Sequence, residues 1–238
     1  LLLDTERVAL QALFDMIRRF KVGYDVELHK RTLERSLFSL IGPSAERIAA
    51  AEGLSGEEHA NAAVEVGGVQ ALAVRTDVGV DLVCDAADGE RLLAELQGRG
   101  AAPVGEAAAE CLRIERGRPR YGIELDETVI PQEAGLNERA VSFTKGCYVG
   151  QETVARLHYR GKPNRHLRGL RLSEPAARGV ELHLGERPVG RVGSTTVSPA
   201  LGPIALALIR REAEPGSSVS VGTPGATAEV VELPFAGA

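Results

Sequence analysis

The sequence predicts an α+β protein that ends in a small antiparallel β-barrel or sandwich. Three observations carry this. Through residue 103, segments of helical and strand periodicity follow one another, the mark of helices packed on a sheet. Residues 104–161 hold two helical stretches on either side of a loop-rich segment. From 162 to 238, short runs such as "RHLRGLRL", "VELHL" and "ATAEVVEL" alternate apolar and polar residues between Gly and Pro turns. The expected domains are therefore 1–103, 104–161 and 162–238.

Each element has its own signal. Asp4 or Thr5 suits the N-cap of a helix through Phe20, with Val8, Ala12 and Ile17 on one face. "YDVELH" and "RSLFSLIG" read as strands, the second punctuated by Gly42-Pro43. Pro43 fits the first turn of a short helix ending at Gly53. "VQALAVRT" and "VGVDLVCD" predict a hairpin around Asp77, followed by a helix over "AADGERLLAELQGRG" and a short strand near "APVG". A further helix, "GEAAAECLRIERG", stops near Gly117, with Pro119 beyond it. Residues 121–148 are loop-rich, a helix spans about Val149 to Arg160, and Gly161-Lys162-Pro163 is a linker.

Composition narrows the function classes. The chain of 238 residues is 44% apolar and 26% charged, ordinary values for a globular protein. No apolar run approaches the roughly 18 residues of a membrane span. "LLLDTERV" has neither a basic region nor a cleavage site, so it is not a signal peptide. It lacks an initiator Met and resembles the end of a strand, so the natural protein is expected to begin upstream. Cys84, Cys111 and Cys147 are far apart, with no C-x-x-C pair, which predicts neither a disulfide framework nor a zinc site. The five His show no metal-ligand spacing, and no metal is expected. A reducing, cytoplasmic compartment follows.

The net charge of −5 argues against general nucleic-acid affinity. With no Trp, four Tyr and five Phe, a base-stacking platform is poorly supplied. The charge is uneven, however. Arg156, Arg160, Lys162, Arg165, Arg168 and Arg171, with His158 and His166, lie in a stretch free of acids, and "RIERGRPR" holds Arg113, Arg116, Arg118 and Arg120. Such patches are either solvated surface or a means of steering an anion.

Chemistry concentrates at "KGCYVGQE". Lys145 and the N-terminus of the following helix both favour a thiolate at Cys147, and Gly146 and Gly150 allow close approach by another molecule. The alternative is a small buried apolar residue, the usual fate of a free cysteine. Cys84 and Cys111 read as core. Glu152 and Arg156 have the i,i+4 spacing of a stabilising helix pair. Gln151 either turns its amide toward Cys147 or caps the loop. Glu115 falls on the apolar helix face of Ala108, Cys111 and Leu112. It is either paired to Arg113 or Arg118, or faces a cavity, since an unpaired buried charge is strongly unfavourable. No P-loop, dinucleotide fingerprint, H-E-x-x-H or G-x-S-x-G occurs.

"RIERGRPRYGIEL" (113–125), followed by "FTKGCYVGQETVAR" (143–156), resembles the YgfZ family of folate-binding proteins, relatives of the glycine-cleavage T-protein. Lys145, Gly146, Cys147, Tyr148, Gly150, Gln151 and Glu152 match the fixed positions of that family's K-G-C-Y-x-G-Q-E. The resemblance covers essentially the whole chain. It implies a T-protein-like fold of three domains around a central folate-sized hole, with residues 104–161 completing the folate cradle. Family members carry further residues ahead of "LLLDTERV", and in the T-protein that region supplies the catalytic aspartate. The resemblance makes tetrahydrofolate the cofactor and Glu115 the acid that grips the pterin edge. Tyr121 would pack near the ring, Arg156 would receive the tail carboxylates, and Tyr148 and Gln151 would stand on the folate side of the loop. Cys147, with Lys145 beside it, would be an exposed functional thiol.

The function so implied is an accessory factor for assembly or repair of iron–sulfur proteins, some of which modify tRNA. Its partners would be folate and those client proteins, with neither a membrane nor a specific nucleic-acid sequence. The alternative is a folate-dependent aminomethyl or one-carbon transferase resembling the T-protein, a turnover enzyme that ranks second because that pattern lacks the cysteine. A third reading is a thiol-redox module that needs no folate.

Overall fold

The computed structural model describes residues 1–222 and 225–236. They divide into two compact units, one of Lys21–Val104 and one of Leu1–Phe20 with Gly105–Ala238. The first helix, α1 (Leu10–Phe20), begins later than Asp4 or Thr5 would allow, after a turn in which the Ala9 N–H donates to the Glu6 carbonyl at 2.9 Å. Glu6 is held instead by Arg120, at 3.0 Å. The apolar residues of α1 recur at helical spacing, yet none is fully buried.

In the Lys21–Val104 unit, β1 (Arg35–Ile41), β2 (Asn61–Val66), β3 (Val69–Arg75) and β4 (Gly79–Asp85) form an antiparallel sheet in the order β1-β4-β3-β2. Helices α2 (Ala45–Ile48) and α3 (Gly89–Gly98) supply Ile48, Leu92 and Leu96 to its core, where they meet Val69, Val80 and Leu82. Burying each such side chain contributes roughly 1.5–3 kcal/mol. The hairpin around Asp77 is present as predicted. "YDVELH" is not a strand: Tyr24 and Val26 are exposed, and the segment lies outside the sheet, whose edges are β1 and β2. Alternation alone does not make a strand when no neighbour supplies the ladder. For the same reason "APVG" is irregular.

The second unit contains helices and a barrel. Besides α1, its helices are α4 (Glu106–Glu115), α5 (Asn137–Ala140) and α6 (Gln151–Arg160). Its strands are β5 (Arg165–Leu172), β6 (Glu181–Leu184), β7 (Arg187–Arg191), β8 (Thr195–Ser198), β9 (Gly202–Arg210), β10 (Ser218–Val221) and β11 (Thr227–Val231). The order β5-β11-β10-β6-β7-β9 closes because β9 also pairs with β5, so six strands make a ring with no free edge. Strand β8 hangs on the side of β9 as the partner of a tight hairpin. Leu170, Leu182, Val189, Ala207 and Val230 fill the barrel.

A smaller cluster joins α4 to the barrel: Ile114, Leu167, Ile204, Leu206 and Phe235. The Phe235 N–H donates to the Glu115 carbonyl at 3.0 Å, so the C-terminal segment pins the end of α4. No helix of the described residues is long and apolar enough to cross a membrane.

Candidate functional site

The α4 helix ends in the "RIERGRPR" motif, and its charges sort by helical geometry. Glu110 and Arg113, three residues apart, share one side and pair at 2.6 Å. Arg113 also reaches the Ser194 hydroxyl and the Arg118 carbonyl. Arg120 is taken by Glu6 and Glu110. Neither Arg113 nor Arg120 is free to steer an anion. Glu115 does not pair with Arg113, which lies only two residues away and so on another side of the helix.

Glu115 is half-buried and meets two uncharged donors. The Ser198 hydroxyl, at the end of β8, donates to Oε1 at 2.6 Å. The Cys111 thiol, one helical turn earlier, lies 3.5 Å from the same oxygen. Oε2 has no hydrogen-bond partner among the described residues and is not sealed from solvent. A pterin edge presents a ring N–H and an exocyclic amine side by side, and a carboxylate in this state can accept both. The residues present therefore fit the group that the sequence motif implies.

Cys111 is not the core residue that its helix position predicted. It is half-buried against Glu115 and Thr196. Burial pushes its thiol up, and the Glu115 carboxylate pushes the same way, while the Thr196 hydroxyl opposes them. Cys84 is core, as predicted, and its thiol is also raised by burial. Tyr121 is half-buried in the turn after the motif, bridged to Leu125.

The second motif forms a surface loop. Cys147 is exposed, and so are Lys145, Gly146 and Gly150. The Lys145 ammonium lies 5.0 Å from the centre of the half-buried Tyr148 ring, a cation–π contact. Gly150 takes φ +85° ahead of α6, a left-handed turn in which the Gln151 N–H reaches the Tyr148 carbonyl at 3.2 Å. The Gln151 side chain is half-buried at the start of that helix. Val154 buries the inner face of α6, and the Gln132 amide donates to its carbonyl at 2.6 Å. On the far turn His158 stacks on Phe143 with centroids 3.9 Å apart.

The structure does not join all the predicted residues. Among the described residues no hydrogen bond or ion pair links the 145–151 loop to Glu115. Glu152 and Arg156 form no ion pair there, and both are exposed. Much of the basic stretch is structural: Arg165 forks onto the buried Glu133 at 3.0 and 2.8 Å, Arg168 meets Glu232 at 2.8 Å, and Arg171 donates to the Ala236 carbonyl at 3.0 Å. Two open depressions, of about 630 and 520 Å³, lie beside Arg210, and neither is lined by Glu115 or Cys147. Donor and acceptor chemistry, not volume, marks the site. Among the described residues no group of three or more His, Cys, Asp or Glu could hold a metal ion.

Ser198 and Glu124 were not legible as site residues. Glu124 is buried and accepts the N–H groups of Arg120 and Ser194, at 2.9 and 2.6 Å, clamping the motif loop to the barrel. Both positions depend on partners about seventy or more residues away, and no local spacing encodes that.

Residues 2–145 match the family model described as the GCVT N-terminal domain, and residues 165–236 match that of the glycine cleavage T-protein C-terminal barrel domain. An aminomethyltransferase of Rubrobacter xylanophilus is 34% identical over 232 residues, covering 92% of this chain and 61% of the relative. A putative chloroplastic transferase of Arabidopsis thaliana is 31% identical, covering 93% of this chain and 54% of the relative. The crystal structure of glycine cleavage system aminomethyltransferase T from Bartonella henselae superposes with a TM-score of 0.81 at 25% identity, over 95% of this chain and 66% of that one. The chain thus spans only about three-fifths of the length of the curated relatives it matches.

Proposed function

We propose, from the premise that this chain belongs to the glycine cleavage T-protein family, that it binds tetrahydrofolate through Glu115 and is a protein of the folate-dependent aminomethyltransferase kind. The observation that carries the reading is the carboxylate of Glu115, fixed on one oxygen by Ser198 and open on the other. Burying half of an acid on an apolar helix face is unfavourable unless donors meet it, and a pterin edge supplies the missing ones. When bound, tetrahydrofolate supplies nitrogens able to carry a one-carbon unit. The part left to this chain is to bind and orient. Glu115 would accept from the pterin edge, Tyr121 would flank the ring, and Arg156, free of any ion pair among the described residues, would meet a tail carboxylate. The names of the curated relatives support transfer of an aminomethyl-derived unit.

Calorimetric titration with tetrahydrofolate tests the binding. Glu115→Gln replaces one acceptor oxygen by a donor, and the expected loss is about tenfold or more, the scale of a charge-assisted hydrogen bond. Equal affinity in wild type and variant rejects the pterin role. Catalysis is tested by methylene-tetrahydrofolate formation from an aminomethyl donor. Repeated turnover supports transfer, and a stoichiometric or zero yield rejects it.

A second reading rests on a separate observation. The exposed Cys147 stands in "KGCYVGQE", the pattern that resembles YgfZ proteins, where an accessory role in assembly or repair of iron–sulfur proteins is implied. Thiolates are the ligands such clusters prefer, and an exposed sulfur on a glycine-flanked loop is open to another protein. In cells lacking the native gene, Cys147→Ala is expected to leave iron–sulfur enzyme activity low. Full recovery with that variant removes the thiol from the account and leaves the transferase reading standing.

A further inference from the structure

Ser198 ends β8 at the tight turn into β9, where it faces Gly202 across the hairpin. It is enclosed, with 2% of its surface exposed. The backbone N–H groups of Ala200 and Leu201 each donate to Ser198 Oγ at 3.1 Å. A hydroxyl has one proton and two lone pairs. With both lone pairs taken by the turn, the proton is left for Glu115 Oε1, at 2.6 Å. That separation suits an O–H donating to an ionised oxygen. The hairpin thus sets the direction of the hydroxyl, and the hydroxyl sets the carboxylate.

The other contact to Oε1 is weak. Cys111 Sγ stands 3.5 Å away, and a thiol is a poor donor that yields to an N–H. Once it yields, Oε1 keeps one acceptor site while Oε2 remains free, so both oxygens can serve a two-donor edge.

We propose that Ser198 is the positioning residue that holds the Glu115 carboxylate ready for the pterin edge, an inference that rests on the reading of Glu115 as the pterin-binding acid. Ser198 itself does not touch the ligand. Its loss lets the carboxylate swing in the unliganded protein, and ligand binding must then immobilise it. The barrel hairpin is in this way part of the binding site on α4.

The test is a double-mutant cycle read by tetrahydrofolate titration on wild type, Ser198→Ala, Glu115→Ala and the double variant. Ser198→Ala is expected to weaken binding by about three- to tenfold, the ordering cost of one side chain. Adding Ser198→Ala to Glu115→Ala is expected to change nothing further. Ser198→Thr, which keeps the hydroxyl, is expected to bind more tightly than Ser198→Ala. Should Ser198→Ala fail to fold, the near-isosteric Ser198→Cys, a weaker donor, carries the same cycle. A serine with a merely structural role would weaken both backgrounds equally, and that result overturns the proposal, as does wild-type affinity in Ser198→Ala. Wild-type affinity in Glu115→Ala rejects the pterin reading itself. A loss in Glu115→Ala with none in Ser198→Ala rejects the positioning role alone.

Discussion

An acid on an apolar helix face is visible from sequence, but the partner that satisfies it is not. The spacing of Glu115 marked it as unusual, and the bland expectation gave it Arg113 or Arg118. Helical geometry sends Arg113 to Glu110 instead, because residues three apart share a side and residues two apart do not. The donor that does reach Glu115 sits 83 positions along the chain. The same contrast holds for His166, which read as one more member of a basic patch. Burial pushes its imidazole below the usual value of 6.5, and Arg168 adds to the effect, while Glu232 and Glu133 oppose it. The unfolded chain therefore takes up this proton near pH 6.5 and the folded chain only at lower pH. Between those points the unfolded state binds more protons, so stability falls as the pH drops below about 6.5. Denaturant midpoints measured from pH 7 to 5 should fall less steeply in His166→Gln than in wild type. Parallel profiles would show that His166 carries none of that slope.

Elements were legible where local chemistry decides them. The hairpin of "VQALAVRT" with "VGVDLVCD", the helix over 89–98 and the alternating C-terminal strands all follow from periodicity and turn residues. Strand β2 was harder to see because "NAAVEV" is rich in exposed Ala, a poor strand former. The signal that marks it is Gly67-Gly68, both at positive φ, joining it to β3. "YDVELH" failed in the opposite sense, with good alternation and no neighbour. The loop carrying Cys147 makes a prediction at this scale. A Cβ at Gly146 or at Gly150 would meet nothing within 4 Å, but only Gly150 needs a left-handed backbone, at φ +85°. Gly150→Ala is expected to cost about 1–2 kcal/mol from that strain, and Gly146→Ala less than about 1 kcal/mol. Chemical denaturation of the two variants measures both, and equal costs would show that α6 does not depend on its glycine turn.

Among the described residues the buried apolar side chains gather in three clusters, one on the four-stranded sheet, one in the barrel and a smaller one between α4 and the barrel. Phe235 shows how distant stretches of sequence are tied together within the second unit. Its ring packs over Gly169, where an added Cβ would come within 2.7 Å of it, and its backbone N–H holds the end of α4. Phe235→Ala is expected to cost about 3–5 kcal/mol, the usual range for emptying a buried aromatic site. Thermal unfolding measures it, and a loss below about 1 kcal/mol would mean that the C-terminal segment is not part of this core.

By itself the sequence determined which faces are apolar, where the chain turns and where charged and nucleophilic side chains cluster in two motifs, because each of these is written in residues a few positions apart. Only the tertiary structure decided that β5 meets β9 to close the barrel, that Arg165, Arg168 and Arg171 serve the fold, and that a hairpin serine donates a hydrogen bond to the acid of α4. Those contacts join residues tens of positions apart, and a periodic pattern states that a face must be covered without stating what covers it.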